Sequence, residues 1–419
     1  MPAMVIAFIG ALVFGAHLFV AIFARTRVPD VLLLILIGLL LGPVTHLVRP
    51  EQFGSVGPVF TTVTLVFLLF ESGTELQLGT IRKVLHGSFL LSVLNFLVTT
   101  ALVAFAAWKF AHLSMGSAVL LGTILGGTSP AVVIPIAAQL KMHKHASAIL
   151  FLESAISDVV SIVLALALVN ALHAGDLEVG KIIGTLLGSF LLAGVLGALG
   201  SIFWSNLLSR VRTLQNGMFT TAAFLFLIFG LAELLGYSGA IAALVFGIGL
   251  GNVAWHGTML SKRFPTLEPV GLNSREKGFF AEIVFLLKTF FFVYIGLSIQ
   301  FRNLSTILFG LAITVLLFVM RIPVVRFGVT RTTSRKDASR MAAMAPKGLA
   351  AAVLASLPKE HGLLHGNFIQ NTTYAVVLMS ILLTAILIFL QDRTPVGRMY
   401  RWFFAGFGLE PAEDTLNAE

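Results

Sequence analysis

The sequence predicts an all-α polytopic membrane protein of about thirteen transmembrane helices. Three observations lead there. Hydrophobic residues make up 57% of the 419 and charged ones only 11%, with a mean hydropathy of +0.97. That balance belongs to membrane chains rather than to soluble domains. Apolar runs of about 20 residues, the length a helix needs to cross some 30 Å of hydrocarbon, recur along the whole chain. Basic residues, finally, gather in every second connecting loop.

Taken in order, the expected spans are 4–24, 29–48, 57–75 and 87–111, then 115–139 and 146–172. They continue with 181–204, 217–235, 238–253, 278–300, 303–327, 340–357 and 373–391. The first run carries neither a charged leading region nor a cleavage motif, so it reads as a retained helix rather than a signal peptide. Residues 1–391 form the expected transmembrane domain. Residues 392–419 read as a short tail.

The loops test this division. With the N-terminus outside, the inward loops carry Arg25 and Arg27, Arg82 and Lys83, Lys141 and Lys144, and Arg210 and Arg212. Further along they carry Lys262, Arg263, Arg275 and Lys277, then Arg326, Arg331, Arg335, Lys336 and Arg340. Outward loops hold only Arg49, Lys109, Lys181, Arg302 and Lys359. Every loop thus agrees with a cytoplasmic C-terminus. The net charge of +9 and pI near 10.0 are accounted for by this placement, and no nucleic-acid partner is implied. There are no cysteines, which excludes disulfides and thiolate metal chemistry.

Two spans are interrupted. Helix 5 contains GGTSPAVVIP from Gly126 to Pro135, and helix 12 contains Pro346-Lys347-Gly348. Pro130 lacks a donor and disfavours the α conformation at Ser129. Open backbone at bilayer depth is tolerated only where protein buries it or where it lines a wet cavity. Helix 12 is the fifth span counted from the eighth, so the breaks fall at matching places in two halves. That is the sequence mark of an inverted-repeat transporter with a midplane site.

Helix 6 brings carboxylates to that depth. At ~1.5 Å per residue, Asp158 lies about 18 Å from the inner end of helix 6, and Thr128 about 18–20 Å from the outer end of helix 5. Ser154, four residues before Asp158, shares its face; Glu153 points elsewhere. Carboxylate, hydroxyl and freed carbonyls suit a dehydrated monovalent cation, and a buried carboxylate also holds a proton. One site taking either is the minimum for antiport. Glu71 in helix 3 lies near mid-depth, either joining the ion site or capping the helix end with Glu75. Arg321 matches Glu153 in depth, and pairing the two avoids stranding either charge. Lys347 offsets half-helix C-termini or a carboxylate. Lys288 either snorkels inward or pairs with the site carboxylate. His143 and His145 sit on the inward loop between helices 5 and 6, solvated or sensing pH. No serine–histidine pair lies within the helices, so no membrane enzyme is expected; an ion channel or a cation-coupled organic-solute carrier are the other classes considered.

PDVLLLILIGLLLGP, LLFESGTEL, GGTSPAVVIP, ESAISD, FFFVYIGL and Arg321 followed by APKGLAAAVLAS together resemble the monovalent cation/proton antiporter superfamily. The resemblance covers nearly the whole chain and is closest to the archaeal and bacterial sodium/proton exchanger branch. It implies Na⁺ (with K⁺ and Li⁺ as alternatives) exchanged for H⁺ in a prokaryotic inner membrane, and a homodimer embedded in lipid. It also implies a core of helices 3–5 and 10–12 with the helix-6 region, moving against the remaining helices as dimerisation scaffold. On this resemblance Asp158 is the ion- and proton-binding aspartate, with Ser154, Thr128 and Glu71 beside it. Glu153 and Arg321 are its paired charges and Lys347 the cation of the second break. Two positions depart from the pattern: Ser157 stands where asparagine commonly precedes the aspartate, and Ser129 where an aspartate commonly follows the threonine. Both remove groups from the polar lining that bears on ion selectivity. Electrogenic relatives carry two adjacent aspartates in helix 6. With Ser157 in place of one, electroneutral exchange of one H⁺ per cation is expected, unless Lys288 exchanges a second proton.

Overall fold

The computed structural model describes residues 2–26, 29–48, 56–76, 78–174, 179–213, 218–253, 269–299 and 304–408. Among them are sixteen α-helices and no strand beyond one isolated bridge, Ser334 to Gly408. The all-α polytopic expectation holds. Six of the helices are long and apolar enough to cross a membrane unaided, and five shorter apolar helices accompany them.

The chain divides into two compact units. The larger comprises residues 1–52, 84–169 and 292–419; the smaller comprises 53–83 and 170–291. Helices α4 (Leu78–Phe110), α7 (Lys144–Ala174) and α11 (Ser274–Ser298) each contribute residues to both units.

The smaller unit is built from α3 (Val56–Glu75), α8 (Val179–Val211), α9 (Met218–Leu234), α10 (Gly239–Gly251) and the first part of α11. Lipid tails are as apolar as leucine, so helices here associate through close packing rather than through exclusion of water. Small residues permit it. A Cβ at Gly247 would stand 2.3 Å from the Phe70 carbonyl oxygen, and one at Gly73 2.4 Å from that of Leu244, so α3 and α10 touch backbone to backbone. Aromatics fill the space around that seam: Phe70 stacks on Phe246 at 5.5 Å and meets Phe280 at 4.7 Å. At one end Arg212 grips Glu276 with two bonds of 2.8 and 2.6 Å. Hydrogen bonding to that carboxylate raises the Arg212 pKa above its ordinary value.

The larger unit holds α1 (Pro2–Thr26) and α2 (Asp30–Leu39), which continues as a π turn, Leu40–Val44, around Pro43. Then come α4 (Leu78–Phe110), the pair α5 (Met115–Ile124) and α6 (Pro130–Gln139), and α12 (Leu304–Gly328). A second pair, α13 (Arg335–Ala342) and α14 (Leu349–Glu360), precedes α15 (Gly366–Arg393) and α16 (Val396–Phe403). Each pair occupies one expected span, helices 5 and 12, broken where the sequence placed Pro and Gly. Ser129 is extended (φ −72°, ψ 110°), the conformation Pro130 demands of the residue before it. Helix 12 begins five residues earlier than expected: Ser334 caps α13, its hydroxyl accepting from the Asp337 N–H at 3.1 Å. RKDASRMA is too polar to read as part of a span, yet Asp337, Ala338 and Met341 are buried.

Beyond the last span the chain stays attached to the larger unit. Gly397, Tyr400 and Phe404 are buried, and Gly408 accepts from the Arg335 N–H at 3.0 Å and donates to the Arg331 carbonyl at 2.9 Å.

Candidate ion site at the crossed helix breaks

Breaking a helix leaves carbonyls at one half-end and N–H groups at the other without partners. In the larger unit the two breaks satisfy one another. The Ser129 N–H donates to the Pro346 carbonyl at 2.9 Å, and the Lys347 ammonium donates to the Gly127 carbonyl at 2.9 Å. The Lys347 N–H donates to Ser380 Oγ at 2.9 Å. Gly348 is required at the crossing, since a Cβ there would lie 2.1 Å from Ser129 Oγ. Lys347 therefore supplies positive charge at the C-terminal end of α5, where the helix dipole is negative. Pro130 opens α6 at the first helical position, where its missing donor costs nothing.

Helix α7 runs past this crossing and presents one face to it. Ser157 Oγ accepts the Thr128 N–H at 3.2 Å, and the Ser161 hydroxyl donates to the Thr123 carbonyl at the end of α5, which also accepts the Gly126 N–H at 3.1 Å. The Thr128 hydroxyl donates towards Glu153 at 3.5 Å and accepts from the Asn95 side-chain amide of α4 at 3.2 Å. Ser154 gives its hydroxyl proton to the Leu150 carbonyl at 2.7 Å, one turn back on its own helix, leaving only its lone pairs for a ligand.

The two carboxylates of α7 have opposite surroundings. Glu153 is wholly buried and receives both Arg321 Nη atoms at 2.6 Å in a bidentate pair. Arg321, 1% exposed, also donates through Nε to the Met341 carbonyl at 3.3 Å. Asp158 is only half-buried, and among the described residues its carboxylate accepts no hydrogen bond. Its Oδ1 lies 2.6 Å from where a Gly127 Cβ would stand, so the carboxylate rests against the open backbone of the first break. Lys347 is within electrostatic range of Asp158, Glu153 and Arg321. Two acids and two bases thus share one buried neighbourhood, and one of the acids has a coordination sphere to fill.

The structure brings together Asp158, Ser154, Thr128, Ser129, Ser157, Glu153, Arg321 and Lys347. Glu71 and Lys288 belong to the smaller unit, both half-buried. Glu71 lies one turn before the end of α3, within electrostatic range of Glu75 and Lys288. Asn95, Ser161 and Ser380 were missed by the sequence reading. The signals existed: an asparagine inside an apolar span is suspect by itself. Ser154, Ser157 and Ser161 recur at intervals that keep one helix face polar. His143 bonds Asp337 at 2.5 Å, joining the loop after α6 to α13. His145 is exposed.

Two interrupted helices crossing beside a free carboxylate and compensating charges define a membrane ion transporter of the broken-helix class. The chain belongs to the sodium/hydrogen exchanger family, whose transmembrane sequence model matches residues 8–390. It is similar to the Na(+)/H(+) antiporter 1 of Methanocaldococcus jannaschii, 25% identical over 318 residues that cover 72% of this chain and 70% of that protein. It is also similar to the Na(+)/H(+) antiporter ApNhaP of Aphanothece halophytica, 25% identical over 289 residues, 67% of this chain and 51% of that one. The solved structure of the sodium proton antiporter MjNhaP1 from Methanocaldococcus jannaschii at pH 8 superposes with a TM-score of 0.72 at 20% identity. The match covers 92% of this chain and all of that one, and shows a shared fold.

Proposed function

We propose that the protein exchanges Na⁺ for H⁺ by alternating access, with Asp158 as the group that carries either ion. The observation that carries this is the contrast between the carboxylates of α7. Glu153 is saturated by Arg321 and Thr128, whereas Asp158 is half-buried, unbonded and set against the open backbone of the first break. Unwound carbonyls beside a carboxylate are what a dehydrated Na⁺ requires.

Charge balance supports electroneutral exchange. With Asp158 ionised and Lys347 protonated, the acids Asp158 and Glu153 offset the bases Arg321 and Lys347. Loading one Na⁺ or one H⁺ raises the total by the same unit charge. Ser157 offers no second carboxylate. Both loaded forms therefore cross the membrane with equal net charge, and cation and proton compete for one group. Activity should fall at low pH, where protons saturate Asp158, and at high pH, where none are supplied. The matching breaks, 5 and 12, support an inverted repeat whose core rocks against a scaffold. Loop charges favour the N-terminus outside and the C-terminus cytoplasmic. The resemblance to the archaeal and bacterial branch supports a prokaryotic inner membrane and a homodimer in lipid, and the work is transport rather than bond chemistry.

Asp158→Asn is the test. Proteoliposomes containing it should show no Na⁺-driven proton flux while the protein inserts and elutes as the wild type does. Normal flux would remove Asp158 from the mechanism. Parallel gradients of Na⁺, K⁺ and Li⁺ on the wild-type protein establish the selectivity, and flux with an organic solute but without proton movement would establish a solute carrier.

A further inference from the structure

A second built site lies away from the crossed breaks, where α13, the end of α15 and α16 meet. A cavity of about 710 Å³ opens there. Lys336, Arg340, Arg393, Arg398 and Arg401 line it, and among the described residues its one carboxylate is Asp392. Arg340 is held in place, donating to Asp392 at 3.1 Å and to the Leu140 carbonyl at 3.1 Å. Among the described residues, the side chains of Arg393, Arg398 and Arg401 have no hydrogen-bond or ion-pair partner.

Basic residues collect at membrane boundaries in any multi-pass protein, and scattered ones need no ligand. These are not scattered. They converge on one concavity, and the wall that carries two of them is anchored. Arg335 donates to the Arg401 carbonyl at 2.9 Å, and Arg326 donates to the Phe403 carbonyl, so the C-terminal end of α16 is tied to α12 and α13. Tyr400 and Phe404 are buried beneath it. Holding several like charges around one cavity costs free energy that a bound anion would offset.

The exposed residues next to these arginines on α16 indicate the kind of anion. Met399 is 54% exposed and Trp402 70% exposed. Trp402 follows Arg398 by one turn and so lies beside it on the helix surface. An exposed tryptophan and methionine beside arginines, on an amphipathic helix directly after a membrane span, is the pattern of a segment lying at the headgroup level. We propose that this cavity binds the headgroup of an anionic phospholipid bearing two phosphates, with its acyl chains beside Met399 and Trp402. Planar guanidinium forks suit phosphate oxygens, and a single monovalent phosphate would leave most of the basic charge uncompensated.

The experiment compares wild type with Arg393→Gln/Arg398→Gln/Arg401→Gln, none of which belongs to the ion site. Each protein is purified in detergent micelles supplemented with phosphatidylethanolamine and 10 mol% cardiolipin, and bound lipid is counted by native mass spectrometry. At about fivefold in affinity per basic residue, the triple variant should retain on the order of a hundredfold less cardiolipin, with phosphatidylethanolamine unchanged. A charge-preserving Arg398→Lys/Arg401→Lys control should retain most of it. Equal cardiolipin retention by wild type and triple variant would overturn the proposal. So would stabilisation of the wild type by inorganic pyrophosphate that cardiolipin does not match, which would assign the cavity to a soluble polyphosphate. If the triple variant does not fold, single Arg398→Gln and Arg401→Gln proteins provide the same comparison at about fivefold each.

Discussion

Breaking the Glu153–Arg321 pair one partner at a time should show how far the crossed breaks depend on it. Both side chains are sealed from solvent and joined by two bonds of 2.6 Å. Removing one partner of such a pair strands a buried charge, at a cost of about 3–5 kcal/mol. For a chain of this size that corresponds to a fall of roughly 3–6 °C in melting temperature. The two single losses should differ. In Arg321→Met the stranded Glu153 keeps the Thr128 hydroxyl and can neutralise itself by taking up a proton. In Glu153→Gln the guanidinium cannot lose its charge, and only the neutral amide oxygen of the new side chain and the Met341 carbonyl at 3.3 Å are left to accept from it among the described residues. Glu153→Gln should therefore be the more damaging. The double variant strands neither charge and should be milder than the sum of the singles by about 2 kcal/mol or more. Thermal unfolding in detergent, followed by fluorescence and by loss of monodispersity, measures all four corners of the cycle. Strictly additive losses, or a harmless Glu153→Gln, would refute the reasoning.

Asp158→Asn should abolish exchange yet change the melting temperature by no more than about 2 °C, because among the described residues that carboxylate has no hydrogen bond to lose; flux assays and unfolding on one preparation decide it. Gly127→Ala places a Cβ 2.6 Å from Asp158 Oδ1, so it should cut exchange about tenfold or more. Gly278→Ala, which meets nothing within 4 Å, should leave the rate unchanged. Recording on a solid-supported membrane should show no sustained transport current for the wild type. A current that vanishes in Lys288→Gln would show that a second proton moves through that lysine. Gly247→Ala should push α3 from α10 and cost about 1–3 kcal/mol, read as a lowered melting temperature.

The spans were legible because bilayer thickness imposes one length on every crossing helix and because proline and glycine mark where a helix cannot continue. Boundaries were less so: α4 begins at Leu78 and α15 at Gly366, several residues before the apolar runs that signalled them. Helical hydrogen bonding continues into polar turns that hydropathy does not register. The same blindness hid α13, whose polar sequence is buried by tertiary contact.

Asp158, Glu153, Arg321 and Lys347 could be named from sequence because an ionisable residue within an apolar span is too costly to be incidental. Matching depth paired Arg321 with Glu153 and left Asp158 as the site carboxylate, but no helix period gives the geometry of that pair. The approach of α12 makes it bidentate, with two bonds of 2.6 Å, and only the crossing of the breaks sets Lys347 on the Gly127 carbonyl. The basic cavity beside α16 is the same case: its arginines read as topology signals until folding gathers them. Hydropathy and chain geometry are local, so the sequence by itself determined the helices, their interruptions and the inventory of charges. Pairing depends on distances between segments far apart in the chain, and those the tertiary structure alone decided.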